Sequence, residues 1–170
     1  FDHQPSLFPN NITTKELRSE LKGESIVAFT EERYLNKSEI IYSWHSSAKP
    51  EIAVVISLYN YSNRIQNALE SVLGQTQTNI ELIVVDDASE DGSVDKVKKW
   101  MLHSAVHYKN RFAKLLLLRH QKNLGLAASR NTAFHAALSK WCFVLDADNE
   151  LLPDAVKECY QIAVLGSETL

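Results

Sequence analysis

Two aspartates one residue apart, Asp146 and Asp148, close the apolar run Trp141 to Leu145. An ionised carboxylate at the end of a buried strand is costly unless it meets a cation or a donor. The pair therefore points to a divalent metal held against a diphosphate. Mg2+ takes one or two protein carboxylates and fills its remaining positions with phosphate oxygens and water. In extended chain the two acids would point to the same side, and Ala147 leaves room between them.

Other groups could share that chemistry. Asp86 and Asp87 close a second apolar run, Ile80 to Val85. Asp87 could accept a hydrogen bond from an imide or amide N–H of a base. Either acid could instead cap the following loop or the helix at Ser93. Tyr59 could stack on the base, a contact worth about 1–3 kcal/mol, or belong to the core. Arg130 could add a charge-assisted hydrogen bond to phosphate or sugar, although a lone helical arginine is more often a solvated surface group. Arg119 and the six histidines, His120 and His135 among them, carry no chemistry that their spacing reveals. No Gly-x-Gly-x-x-Gly follows the first apolar run, and no Gly-x-x-x-x-Gly-Lys-Ser/Thr occurs. A phosphate cradle of helix-terminal amides is thus not indicated.

The elements that must position these groups are regular from Pro50 onward. Glu51 to Ser57 is a short β-branched strand, and Leu58-Tyr59-Asn60 a turn. Ile65, Ala68, Leu69, Val72 and Leu73 recur at helical spacing up to Gly74. Ile80 to Val85 is the second strand. Ser93 can cap a helix burying Val94, Val97, Trp100 and Met101. Lys114 to Arg119 is the third strand, Leu126 to Ser139 a helix, and Trp141 to Leu145 the fourth strand. Pro153 suits the first turn of a last helix with Val156, Cys159 and Tyr160 inward. Four alternations of strand and helix predict βαβ crossovers and an open, mainly parallel α/β sheet with helices on both faces. Ligands of such sheets bind at the carboxyl ends of the strands. Tyr59-Asn60, Asp86-Asp87, Asn123-Leu124-Gly125 and Asp146-Ala147-Asp148 all fall on that edge, so they are expected to line one cleft.

Residues 1–49 differ. Phe1 to Asn11 reads as an arm, with Pro5 and Pro9. Thr13 and Glu16 have capping-box spacing for a short helix to Lys22. Ser25 to Thr30 could be a strand, and Glu31 to Lys49 is a mixed connector. The expected division is an N-terminal arm or linker with a short helix, 1–49, and one domain, 50–170. The 170 residues are 45% hydrophobic and 23% charged, with a formal net charge of −3 and no long basic block. That balance suits a globular core and argues against a nucleic-acid partner. Cys142 and Cys159 form no Cys-x-x-Cys pair, so they read as two buried free thiols rather than a zinc site. No run approaches the roughly 20 apolar residues of a membrane span. The first residue is Phe1, which reads as a piece of something longer.

From Pro50 to about Leu165 the chain resembles the nucleotide-binding half of GT-A fold, family 2 glycosyltransferases. The stretches that carry the resemblance are Val55-Ile56-Ser57-Leu58-Tyr59-Asn60, Leu69 to Thr76, Val84-Val85-Asp86-Asp87-Ala88-Ser89-Glu90-Asp91-Gly92-Ser93, Asn123 to Asn131, and Leu145-Asp146-Ala147-Asp148-Asn149. The resemblance implies a nucleotide-diphosphate sugar donor, often UDP-linked, with Mn2+ or Mg2+, and a saccharide, lipid-linked or protein acceptor. It places Ser57 and Tyr59 beside the base, Asn60 among the nucleotide-binding residues, Asp87 on the base, Arg130 near the diphosphate or sugar, Asp146 near the ribose or donor sugar, and Asp148 on the metal. Ser57-Leu58 stands where the family has Pro-Thr. Ala133 replaces a usual Gly, and Asn149 a usual acid. The family's acceptor site and general base lie beyond this acidic motif, so the base is expected past Leu170 and inversion is a family-level expectation. The implied setting is cytoplasmic, with membrane contact only through parts outside this chain.

Three other classes compete. A haloacid-dehalogenase-type phosphatase also places Asp-x-Asp after an apolar strand, but Asn149-Glu150 does not continue its motif. A phosphoacceptor receiver wants its acidic pair after the first strand, not the second. A non-catalytic domain retaining the glycosyltransferase fold is the serious rival, because no base is in view.

Overall fold

A computed structural model describes residues 37–167. The order is β1 (Ser38–His45), β2 (Ile52–Leu58), α1 (Ile65–Leu73), β3 (Ile80–Asp86), α2 (Ser93–His107), β4 (Phe112–His120), α3 (Leu126–Ala136), β5 (Cys142–Asp146) and α4 (Ala155–Ser167). The five strands form one sheet in the order β1-β4-β3-β2-β5. The β2/β3, β3/β4 and β2/β5 pairs are parallel, and β1 runs antiparallel to β4. The expected open, mainly parallel sheet is therefore present, with an antiparallel strand added at one edge.

Helices cover both faces because the central strands are apolar on both. One face of β2, β3 and β4 presents Val54, Ile56, Leu82, Val84, Leu115 and Leu117, packed with Leu69 and Val72 of α1, Val97 and Met101 of α2, and Val156 of α4. The other presents Ala53, Val55, Ile83, Val85, Leu116 and Leu118, packed with Ala133 of α3. Beneath it, buried Glu81 pairs with Lys114 at 2.8 Å. Its oxygens also accept hydrogen bonds from the Leu138 and Ser139 N–H groups at 2.9–3.1 Å and from the Ser139 hydroxyl at 3.0 Å. That node ties the chain between α3 and β5 to the centre of the sheet.

Several expectations change. The stretch read as a mixed connector contains β1, whose Trp44 and Tyr42 pack against the core. Its hydrophobicity does not alternate cleanly, since the register with β4 shifts between Ile40 and Tyr42. Neither cysteine is buried. β5 is an edge strand and exposes Cys142 and Val144, so an apolar run there does not mean enclosure. Cys159 faces outward on α4. Ser93 does not cap α2; Gly92 holds the cap position at φ +82, and Ser93 is the first helical residue. The helix expected at Thr13 to Lys22 and the strand at Ser25 to Thr30 lie outside the described residues. Among the described residues, no helix is long and apolar enough to cross a membrane.

Candidate functional site

Strands β3 and β4 step away from β2 on one side, while β5 pairs with its other side. That reversal creates a crevice at the carboxyl ends of β2 and β5, the usual ligand position of an open α/β sheet. A cleft of about 510 Å³ opens there. Ser57, Leu58, Tyr59 and Tyr61 line it from β2 and its turn, and Asp87 from the end of β3. Asn123, Gly125, Leu126 and Ser129 line it from the β4–α3 loop and α3, and Asp146, Ala147 and Asp148 from the end of β5. The four loops expected to converge do so. Register explains part of this: Ser57 pairs with Asp146 across β2 and β5, and Leu58 with Asp86 across β2 and β3.

Asp87 is the most engaged group. It is 3% exposed. Its Oδ1 accepts from the Leu124 N–H at 2.8 Å and from His120 Nδ1 at 2.7 Å, and its Oδ2 accepts from the Gly125 N–H at 2.7 Å. A carboxylate has about four acceptor positions, so one remains, on Oδ2, in a residue that borders the cleft. Gly125 is required here: φ +89 and ψ 164 lie in a region open essentially to glycine alone.

Its neighbour Asp86 turns inward and is fully buried. Burial pushes its carboxyl above the usual range, against the opposing hydrogen bonds from Ser89 and the charge of Arg119. Arg119 Nε stands 3.4 Å from Asp86 Oδ2, and Oδ1 has no hydrogen-bond partner among the described residues. Asp86 thus braces the loop, as the capping alternative anticipated, and does not border the cleft.

Asn60 does not line the cleft either. It adopts φ +55, which asparagine tolerates, and its Oδ1 accepts from the Glu90 N–H at 2.9 Å. Its own N–H donates to Ser89 Oγ at 2.9 Å. Asn60 therefore joins the β2 turn to the β3 loop that carries Asp87. Tyr59 is 45% exposed, so it is not core. Arg130 is not among the lining residues and donates from Nη2 to Asp146 Oδ1 at 2.8 Å. Asp91 fastens the same turn, accepting from the Ser62 N–H at 2.8 Å and from the Ser93 N–H and hydroxyl. Desolvation is the largest single influence and opposes the charged form, but the hydrogen bonds from Ser93 and Ser62 together outweigh it and hold the carboxyl at about 2.

Asp146 and Asp148 flank the buried Ala147 and are both exposed. The chain turns after Asp146, whose carbonyl accepts from the Asn149 N–H at 3.1 Å. Asp146 is committed to Arg130, while Asp148 has no side-chain hydrogen bond or ion pair among the described residues. No group of three or more metal-ligating side chains occurs among them. The donor set therefore fits a hard divalent cation only when phosphate oxygens complete the shell, as Mg2+ sites commonly require.

Sequence reading missed His120 and Thr132. His120 is fully buried and joins Asp87 to Thr132. Its position at the carboxyl end of β4, on the same edge as the other groups, was the available signal.

Comparison with known proteins places this arrangement. Residues 53–165 match the Glycosyl transferase family 2 profile. The chain belongs to this family. It is 34% identical over 126 residues to the chondroitin synthase of Escherichia coli, covering 74% of this chain and 17% of that protein. The fold also matches the 1–349 region of TarS from S. aureus in complex with UDP-GlcNAc (TM-score 0.56, 24% identity, 65% of this chain and 30% of that one). It matches the mannosyltransferase PcManGT from Pyrobaculum calidifontis, in complex with GDP-Man and Mn2+, as well (TM-score 0.55, 24% identity, 81% and 38%). The chain thus spans well under half the length of these relatives.

Proposed function

We propose that this part of the family 2 protein binds the nucleotide-diphosphate sugar of a glycosyl transfer, with UDP as the nucleotide. The observation that carries the reading is the single remaining acceptor position on Asp87, after β3 on one side of β2, with an exposed carboxylate, Asp148, after β5 on the other. A lone acceptor selects a base that offers an N–H at its edge, as the uracil imide does. Tyr59 supplies an exposed ring for stacking. Ser57 sits beside Asp146 in register and suits a contact to base or ribose. Asp146, oriented by Arg130, suits the ribose or sugar hydroxyls, and the Arg130 charge would act on the diphosphate from beside Asp146.

Asp148 would hold Mn2+ or Mg2+ together with the diphosphate oxygens. The cation supplies Lewis-acid stabilisation of the leaving diphosphate. The chain's own residues bind and orient the donor. PcManGT, described with GDP-Man and Mn2+, supports the metal and keeps a guanine nucleotide open, since guanine also offers an N–H donor. The relative named chondroitin synthase supports a saccharide acceptor. Transfer with inversion follows the family expectation.

One observation favours a second reading, a domain that holds the donor without transferring it. The carboxylates lining the cleft, among the described residues, are Asp87, Asp146 and Asp148, and all three are assigned to the donor.

Calorimetric titration of the full-length protein with UDP, GDP and ADP, with and without Mn2+, tests the donor site. UDP binding that strengthens with Mn2+, and loses that dependence in Asp148→Asn, is expected. Absence of nucleotide binding under every metal condition overturns the reading. Donor binding without any sugar transfer in the full-length protein would favour the second.

A further inference from the structure

Three buried side chains are linked in sequence from α3 to the cleft residue Asp87. Thr132 Oγ1 lies 2.9 Å from His120 Nε2, and His120 Nδ1 lies 2.7 Å from Asp87 Oδ1. Thr132 and the His120 ring are fully buried, and the Asp87 side chain is 5% exposed. An ionised aspartate only accepts, so Nδ1 carries the hydrogen. In the neutral ring Nε2 then accepts the Thr132 hydroxyl hydrogen. Asp87 therefore sets the tautomer, and Thr132, bonded to the opposite nitrogen, holds the ring where Nδ1–H meets Asp87.

The consequence falls on Asp87. A carboxylate can rotate about its Cβ–Cγ bond and present either oxygen to a ligand. Here Oδ1 is filled by His120 and the Leu124 N–H, so Oδ2 alone keeps a free position, beside the Gly125 N–H. The same contacts hold the 123–125 loop, whose Asn123 and Gly125 line the cleft. One helix thereby reaches both ends of the site: Thr132 through His120 to Asp87, and Arg130 to Asp146.

We propose that His120 is a positioning residue for base recognition, fixing through Thr132 which Asp87 oxygen faces the base and how the 123–125 loop closes over it. This rests on the donor-site reading, in which Asp87 meets the base. His120 touches no ligand. It acts by removing the alternative orientations of the acceptor, the preorganisation that a selective site needs.

The test measures UDP and CDP affinity, and KM and kcat for the UDP-sugar, in the full-length protein. Uracil offers an imide N–H at the ring position where cytosine has a bare acceptor nitrogen. His120→Leu is expected to weaken UDP on the order of tenfold, the size of one hydrogen bond to a charged group, and CDP far less. KM should rise with little change in kcat. His120→Asn can place an amide N–H where Nδ1–H stands, and should restore most of the UDP preference. Thr132→Val should give a smaller loss of the same kind. If His120→Leu does not fold, the Asn and Val variants carry the test. Equal loss of UDP and CDP, or no loss in a folded His120→Leu, overturns the proposal. Asp87→Asn separates the two claims. If it leaves UDP binding unchanged, Asp87 does not read the base and both fall. If it abolishes the preference while every His120 variant keeps it, only the His120 role falls.

Discussion

Asp86, Asp87 and Asp91 lie within six residues and have three different fates. Asp86 is buried with one oxygen unpartnered. Asp87 is saturated except at one position. Asp91 is exposed and fastened to Ser62 and Ser93. Their titrations should oppose each other. The Asp86 carboxyl is raised by burial, so the folded chain holds its proton more tightly than the unfolded chain does. Its stabilising contribution is complete below the unfolded value of about 3.9 and is lost as pH rises through the folded value. Asp91 is depressed to about 2, so its contribution is present above the unfolded value and lost as pH falls toward 2. Denaturant midpoints measured against pH should show Asp86→Asn gaining on the parent chain as pH rises above about 4. Asp91→Asn should be less stable than the parent at neutral pH and converge with it in acid. The Asp91 effect should be the smaller, because that group is solvent-screened.

At the scale of elements, the site is set by how strands and helices end. β3 ends in Asp86, and the chain then passes through Ala88 at φ +64, a left-handed conformation unfavourable to a residue with a Cβ. Successive side chains at a strand end point to opposite sides, so Asp86 enters the core and Asp87 borders the cleft before this turn. Ala88→Gly should stabilise the fold by about 1 kcal/mol, less the entropy glycine loses on folding, as read by thermal unfolding. Gly125 gives the opposite result. No atom lies within 4 Å of an added Cβ, so the obstacle is backbone conformation rather than space. Gly125→Ala should cost about 1–3 kcal/mol, and nucleotide titration should show weaker binding because the N–H given to Asp87 moves.

For the whole molecule, sheet order decides what is edge and what is centre. β1 closes the free side of β4 along Ser38 to His45. A chain beginning at Pro50, the boundary suggested by composition, would expose the β4 backbone beside Leu115 to Leu118 and lose the packing of Tyr42 and Trp44. Bare, apolar strand edges pair with other chains. Such a chain should melt at lower temperature and self-associate on size exclusion, whereas one beginning before Ser38 should stay monodisperse. An unchanged melting temperature after removal of β1 would contradict this role.

The sequence by itself determined the four strand–helix alternations, the edge on which the polar groups gather, and the family. Ser57, Tyr59, Asp87, Asp146 and Asp148 were legible because each stands at or beside the end of a strand-like run, and local patterning reports where strands stop. Only the tertiary structure decided that β1 joins β4, that β5 is an edge and leaves Cys142 exposed, and that Asn60 and Arg130 do not line the cleft. It alone joined Asp87 to His120, Leu124 and Gly125. The physical reason is range. Periodicity reflects each segment's backbone and its average burial, whereas hydrogen bonds between residues 33–38 apart in the chain depend on which strands become neighbours.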